Sequence, residues 1–177
     1  MTNLREMLGE RLGVRDIRLL CHACVGHDGD TVKEQLYLLF SDPDDRVGYN
    51  ALWVFTHLTR CDRLWVLPMR SRLIDMLLIE KHDGKRRLLL TLLEQLPPHT
   101  EDFRTDFFDY CLSKINSTEP YAIRALCMKQ AFAQCRLYPD LLFEFENELE
   151  IMEYGALPPG LKSARRNIVN EIAKIKK

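Results

Sequence analysis

Apolar side chains recur every three to four residues along most of the chain, and short polar or Gly/Pro clusters interrupt them. That period belongs to amphipathic helices, not strands. The clearest stripe lies in residues 41–58. A Ser-Asp-Pro-Asp-Asp turn offers carboxylates to the first N–H groups of a helix, and Val47, Ala51, Val54, Phe55 and Leu58 then share one face. Ala51, small and mid-stripe, lets a second helix come close. Similar stripes predict helices over 2–12, ended by Gly13, and over 14–25, with Ile17, Leu20, Cys21 and Cys24 inward. A break at 26–30 with Asp30 as cap precedes a helix over 31–40 that carries Val32, Leu36, Leu39 and Phe40.

Beyond residue 60 the pattern continues. A helix over 62–79 is disturbed at Pro68, and one over 85–96 is stopped by Pro97-Pro98. Thr100-Glu101-Asp102 caps a helix reaching Ile115, with Phe103, Phe107 and Leu112 inward. Helices over 121–135, 140–152 and 161–175 complete the set. The count is about ten helices in five pairs, with no strand, and the short turns make neighbours antiparallel.

Self-comparison organises these helices. Asn50-Ala51-Leu52 is followed 37 residues later by Arg87-Leu88-Leu89, after another 37 by Arg124-Ala125-Leu126, and after 39 more by Ala164. Each mark lies early in the second helix of a pair. Two-helix units at this period leave apolar faces that only a neighbouring unit covers, which predicts an α-solenoid. Asp42-Pro43-Asp44-Asp45-Arg46-Val47 followed by Ala51-Leu52 resembles the second helix of a HEAT repeat, whose pattern is D-x-x-x-V-R-x-x-A-like. The later units, among them Glu119-Pro120-Tyr121-Ala122-Ile123-Arg124-Ala125-Leu126, match in outline. Where the family has a basic residue after the Val, this chain has Gly48. The resemblance covers residues 30–177. It implies an all-α, right-handed armadillo-type superhelix of about five helix pairs, and a scaffold role. Residues 1–177 are accordingly expected to form one repeat domain, with 1–29 as a capping helix pair.

Composition sharpens this in one respect: the net charge of −1 provides no global field for nucleic acid. The N-terminus lacks a signal-peptide pattern and no stretch is long and apolar enough to span a bilayer, so a cytoplasmic protein is expected. Six cysteines in such a chain are expected to be reduced and mostly buried. Cys21-His22-Ala23-Cys24 with His27 gathers metal-type ligands, but no second C-x-x-C closes a zinc site, so no metal is expected. Nucleophile elbows, phosphate-binding Gly loops and H-E-x-x-H are absent, so no catalytic residue and no cofactor are assigned.

Charge alternates along the repeats. Second helices run basic (Lys85, Arg86, Arg87; Arg165, Arg166), whereas the first helices of the later units run acidic. Asn50, Arg87 and Arg124 share one register. With Tyr49, Trp53, Arg86, Arg165 and Arg166 they are the candidate binding residues, suited to an acidic ligand because guanidinium groups hold carboxylates or phosphates bidentately. The competing expectation is a structural ladder in which each Arg serves a carboxylate or helix end of the adjacent unit. The expected activity is non-catalytic binding of a protein or peptide. The alternative is a nucleic-acid module resembling the HEAT-like DNA glycosylases.

Overall fold

The computed structural model describes residues 4–97 and 103–176, and among them every regular element is helical. Contacts divide the chain into two compact units, Met1–Leu96 and Pro97–Lys177.

In the first unit, α1 (Leu4–Gly9), α2 (Val14–Ala23), α3 (Asp30–Leu38) and α4 (Asp45–His57) precede a short α5 (Arg60–Arg63), then α6 (Arg70–Ile79) and α7 (Asp83–Gln95). α4 is its centre and packs on α1, α2, α3 and α7. Val47, Ala51, Val54 and Phe55 are all buried, as the stripe predicts, with Ala51 fully inaccessible. Phe55 meets Phe40 edge-on at 5.0 Å and Trp65 at 6.2 Å. Burying a ring of this size contributes about 2–3 kcal/mol before packing terms.

Several boundaries move for physical reasons. α1 stops at Gly9, and Gly13 opens α2 instead of ending α1: its extended backbone donates its N–H to Asp16 Oδ2 at 2.8 Å. Asp30 is the first residue of α3, because Gly29 takes the cap position. A Cβ at Gly29 would run into the Cys24 backbone, so only glycine passes there. The inward face of α3 is Lys33, Leu36 and Tyr37, whereas Val32 and Leu39 are half-buried. Lys33 is tolerated inside because its ammonium donates to Gly26 O (3.0 Å) and pairs with Asp30 (2.8 Å). Pro68, which has no N–H, converts residues Leu64–Met69 to a 3-10 stretch that separates α5 from α6.

The second unit contains α8 (Thr105–Ile115), α9 (Tyr121–Cys135), α10 (Leu142–Ile151) and α11 (Pro159–Ile175). α9 is central and packs on α8, α10 and α11. Its core is Phe107, Phe108, Cys111, Cys127, Met128, Ala131 and Phe145, with Phe132 stacked 6.1 Å from Phe145. Phe103 is half-buried. A 3-10 turn at Pro139–Leu141 delays α10, and Pro159 at the first position starts α11 two residues early. The proposed cap at Thr100-Glu101-Asp102 lies outside the described residues. No helix among the described residues is long and apolar enough to cross a membrane.

Candidate functional site

Five of the eight candidate residues sit on the paired second helices of the first unit, and four of them are only half-buried. Tyr49, Trp53 and His57 follow one another at four-residue spacing down α4 and so share a face. Their rings lie in series, Tyr49 to Trp53 at 6.3 Å and Trp53 to His57 at 5.8 Å. α7 runs beside them. It is capped by His82, whose Nδ1 accepts the Lys85 N–H at 3.2 Å while the ring stands edge-on to Tyr49. Gly84 follows the cap, and a Cβ there would stand 2.9 Å from the Tyr49 ring. The missing side chain therefore lets Tyr49 lie against the start of α7.

Arg87 completes this surface by donating from Nη2 to Tyr49 Oη at 3.3 Å. Below it Gln95 donates to Thr56 O (3.3 Å), and Arg63 donates to both Gln95 Oε1 (2.7 Å) and Thr56 O (3.2 Å). These bonds lace α7 to the C-terminal end of α4. Tyr49, Trp53 and Arg87 are half-buried: supported from below and open on one side. Arg86 is ion-paired with Asp83 one turn back on its own helix.

The other four candidates do not join this surface. Asn50 is in the core, 5% exposed, and its carboxamide donates to the carbonyls of Leu8 (2.7 Å) and Glu10 (3.1 Å) at the end of α1. It cannot face a ligand. Arg124 donates from Nε to Ile115 O at 2.8 Å, and Arg165 donates to Leu149 O at 3.0 Å. Both serve the last turn of the preceding helix, where carbonyls lack intrahelical partners. Arg166 is exposed on α11.

Three buried cations are invisible to the hydrophobic pattern, one of them Arg70, which donates from Nη1 to Leu93 O at 3.2 Å. Lys33 is described above; Lys85 is 5% exposed and lies 2.7 Å from Glu80 and 3.3 Å from Asp45. Burial pulls the Lys85 ammonium down, but the bonds to Glu80 and Asp45 prevail and hold it above the ordinary lysine value. The signal for both lysines was local, an acid three to five residues before each. Gly48 belongs to the same cluster: a Cβ there would stand 2.9 Å from Phe40 O and 3.2 Å from Lys85 Cε. No side chain, basic or otherwise, fits at that position.

The cysteine cluster has no ligand geometry. Burial pushes the Cys24 thiol up to about 12, which disfavours the thiolate a metal would need. Cys135 is pushed up likewise, and Cys111 is raised by burial and by neighbouring Cys127. Among the described residues no three His, Cys, Asp or Glu side chains converge on a common point.

A HEAT repeat domain profile matches residues 4–172. The chain belongs to the HEAT repeat family. Its all-α architecture is therefore that of an α-α solenoid built from helix pairs, and proteins of this family generally serve as protein-interaction scaffolds. No curated protein and no solved structure matches the chain.

Proposed function

We propose that this HEAT repeat chain is a non-catalytic binding scaffold acting in the cytoplasm as one repeat domain over residues 1–177, with 1–29 as its capping pair. Its partner is a protein or peptide bearing carboxylates. The observation that carries this reading is the pairing of Arg87 with the Tyr49–Trp53 aromatic face on α4 and α7. An aromatic platform beside a guanidinium gives flat apolar contact and a directed anion contact in one place. Arg86 extends the basic edge by one residue.

The test is retention of a partner copurified from native lysate and identified. Replacing Arg86 and Arg87 with Ala is expected to weaken retention about tenfold or more while the melting temperature stays near that of the parent. Full retention by that double variant overturns the reading. Heparin or DNA retention that collapses steeply with added salt, with no protein captured, moves the assignment to nucleic acid.

A further inference from the structure

A second surface lies on α2, independent of the α4–α7 face. α2 turns Ile17, Leu20 and Cys24 into the core of its unit, and its one acid, Asp16, is engaged by the Gly13 N–H. The outer arc is different in kind. Arg15, Arg18, Leu19 and His22 are exposed, with Val14 at the start of the helix and Arg11 and Val25 flanking it. Leu19 is 66% exposed and Val14 62%. At about 100° per residue, Val14, Arg18, His22, Arg15 and Leu19 fill one continuous side of the helix.

Several arginines elsewhere in the chain are committed to internal partners. Arg5 is forked on Asp42, Arg104 is paired with Asp106, and Arg124 and Arg165 hold helix-end carbonyls. Arg11, Arg15 and Arg18 have no hydrogen-bond or ion-pair partner among the described residues. An ordinary solvated helix face mixes acids with bases, whereas this one has no exposed acid. Each helical arginine is set four residues from an exposed aliphatic, Arg18 from Val14 and Arg15 from Leu19.

We propose that the outer face of α2 docks an acidic segment of a partner protein, one that places aliphatic side chains between its carboxylates. The arginines supply bidentate carboxylate contacts, and Leu19 and Val14 supply the apolar contacts between them. A bilayer suits the face poorly, because the apolar stripe of α2 is committed to the core and the outward aliphatics are single residues divided by arginines. Nucleic acid suits it poorly too, because apart from His22 no ring on the arc can stack on a base.

The probe is a fluorescein-labelled synthetic helix of about 20 residues carrying Glu and Leu at amphipathic spacing, measured by anisotropy against the full chain. The control peptide has Ser at every Leu. Saturable binding of the Leu peptide is expected, weakened about tenfold by Arg15→Glu with Arg18→Glu, and weakened also by Leu19→Ser. Arg60→Glu with Arg72→Glu makes the same charge change at exposed arginines outside α2, and is expected to move affinity by no more than about twofold. All these side chains are exposed, so circular dichroism and melting temperature should match the parent, and Trp53 and Arg87 stay intact throughout. Absence of saturable binding overturns the proposal, as does equal binding of the Ser peptide or an equal loss in the control variant. So does stronger, Arg15/Arg18-dependent binding of phosphatidylserine vesicles or single-stranded DNA. Self-association of the chain in sedimentation, abolished by the same variant, would assign the face to a second copy and overturn it too.

Discussion

α4 and α9 hold the same place in their respective units: each is the central second helix, and each lends a polar side chain to the end of an earlier helix. They do so with different chemistry. α4 sends Asn50, short, neutral and buried, to the carbonyls of Leu8 and Glu10; α9 sends Arg124, long, charged and half-buried, to Ile115 O. The starts of the helices differ as well. Asp44 accepts the Arg46 N–H to cap α4, whereas α9 begins behind Pro120 with no side-chain cap. Burial accounts for the choice of residue. An amide satisfies a buried carbonyl without the desolvation a charge would suffer, while a guanidinium can reach from the rim and keep part of itself in water.

The largest effect that tests this contrast is Asn50→Ala. It strips the donor from two carbonyls, one on fully buried Leu8, and is expected to cost about 2–3 kcal/mol in denaturant unfolding. A cost near zero would show that water reaches the end of α1 and that burial does not set the difference. Next comes overpacking. Ala51→Leu in α4 and Ala131→Leu in α9 fill sites of equal inaccessibility, and each is expected to lose about 1–3 kcal/mol. A tolerated leucine in only one of them would mean that the two cores are not equally tight.

Arg124→Ala should be milder than Asn50→Ala, about 1 kcal/mol, because solvent at a half-buried site can replace the lost donor. Equal costs for Arg124→Ala and Asn50→Ala would remove burial as the explanation. The smallest effect is a pH dependence in the first unit. Burial raises the Glu80 carboxyl, but the Lys85 bond and the backbone N–H groups of His82 and Lys81 prevail and hold it below its ordinary 4.5. The folded value is therefore the lower one, so the contribution of Glu80 is fully present above 4.5 and is lost as pH falls through the folded value. The stability gap between the parent and Glu80→Gln should be open at neutral pH and should close as pH falls below 4.5 and through the lowered folded value. A gap that persists in acid would show that Glu80 acts through packing instead of charge.

The helices were legible because they rest on period and punctuation, which are local. α9 falls on 121–135 as the pattern predicts, between Pro120 and the turn after Cys135. The stripe of α4 is buried as read. What the pattern could not supply is which polar residues cross to the inside. Asn50 shares a helix face with Val47 and Val54, three residues before it and four after, and so belongs to the buried stripe despite its polarity. Arg87 instead continues into Thr91 and Gln95, a polar row. A common 37-residue register thus equated one inward and one outward position. Lys33 and Lys85 were missed for the same reason: hydropathy places a lysine outside, and only its acid partners, distant in part, reverse that. The α2 arginines carry no motif at all; what distinguishes them is an exposed arc shared with Val14 and Leu19 and free of exposed acids.

Gly48 has a consequence for how separable the repeats are. Where other HEAT units carry their own cation, this one has a backbone with no room for a side chain, and the positive charge beside Asp45 arrives from Lys85 at the start of α7. The motif of one repeat is therefore finished by residues of the next. Excising such a unit removes a charge that its neighbour supplies. A fragment ending at Ile79 would leave Asp45 without its counter-ion and a void where the Lys85 stem had lain, so these two repeats are coupled through a shared motif.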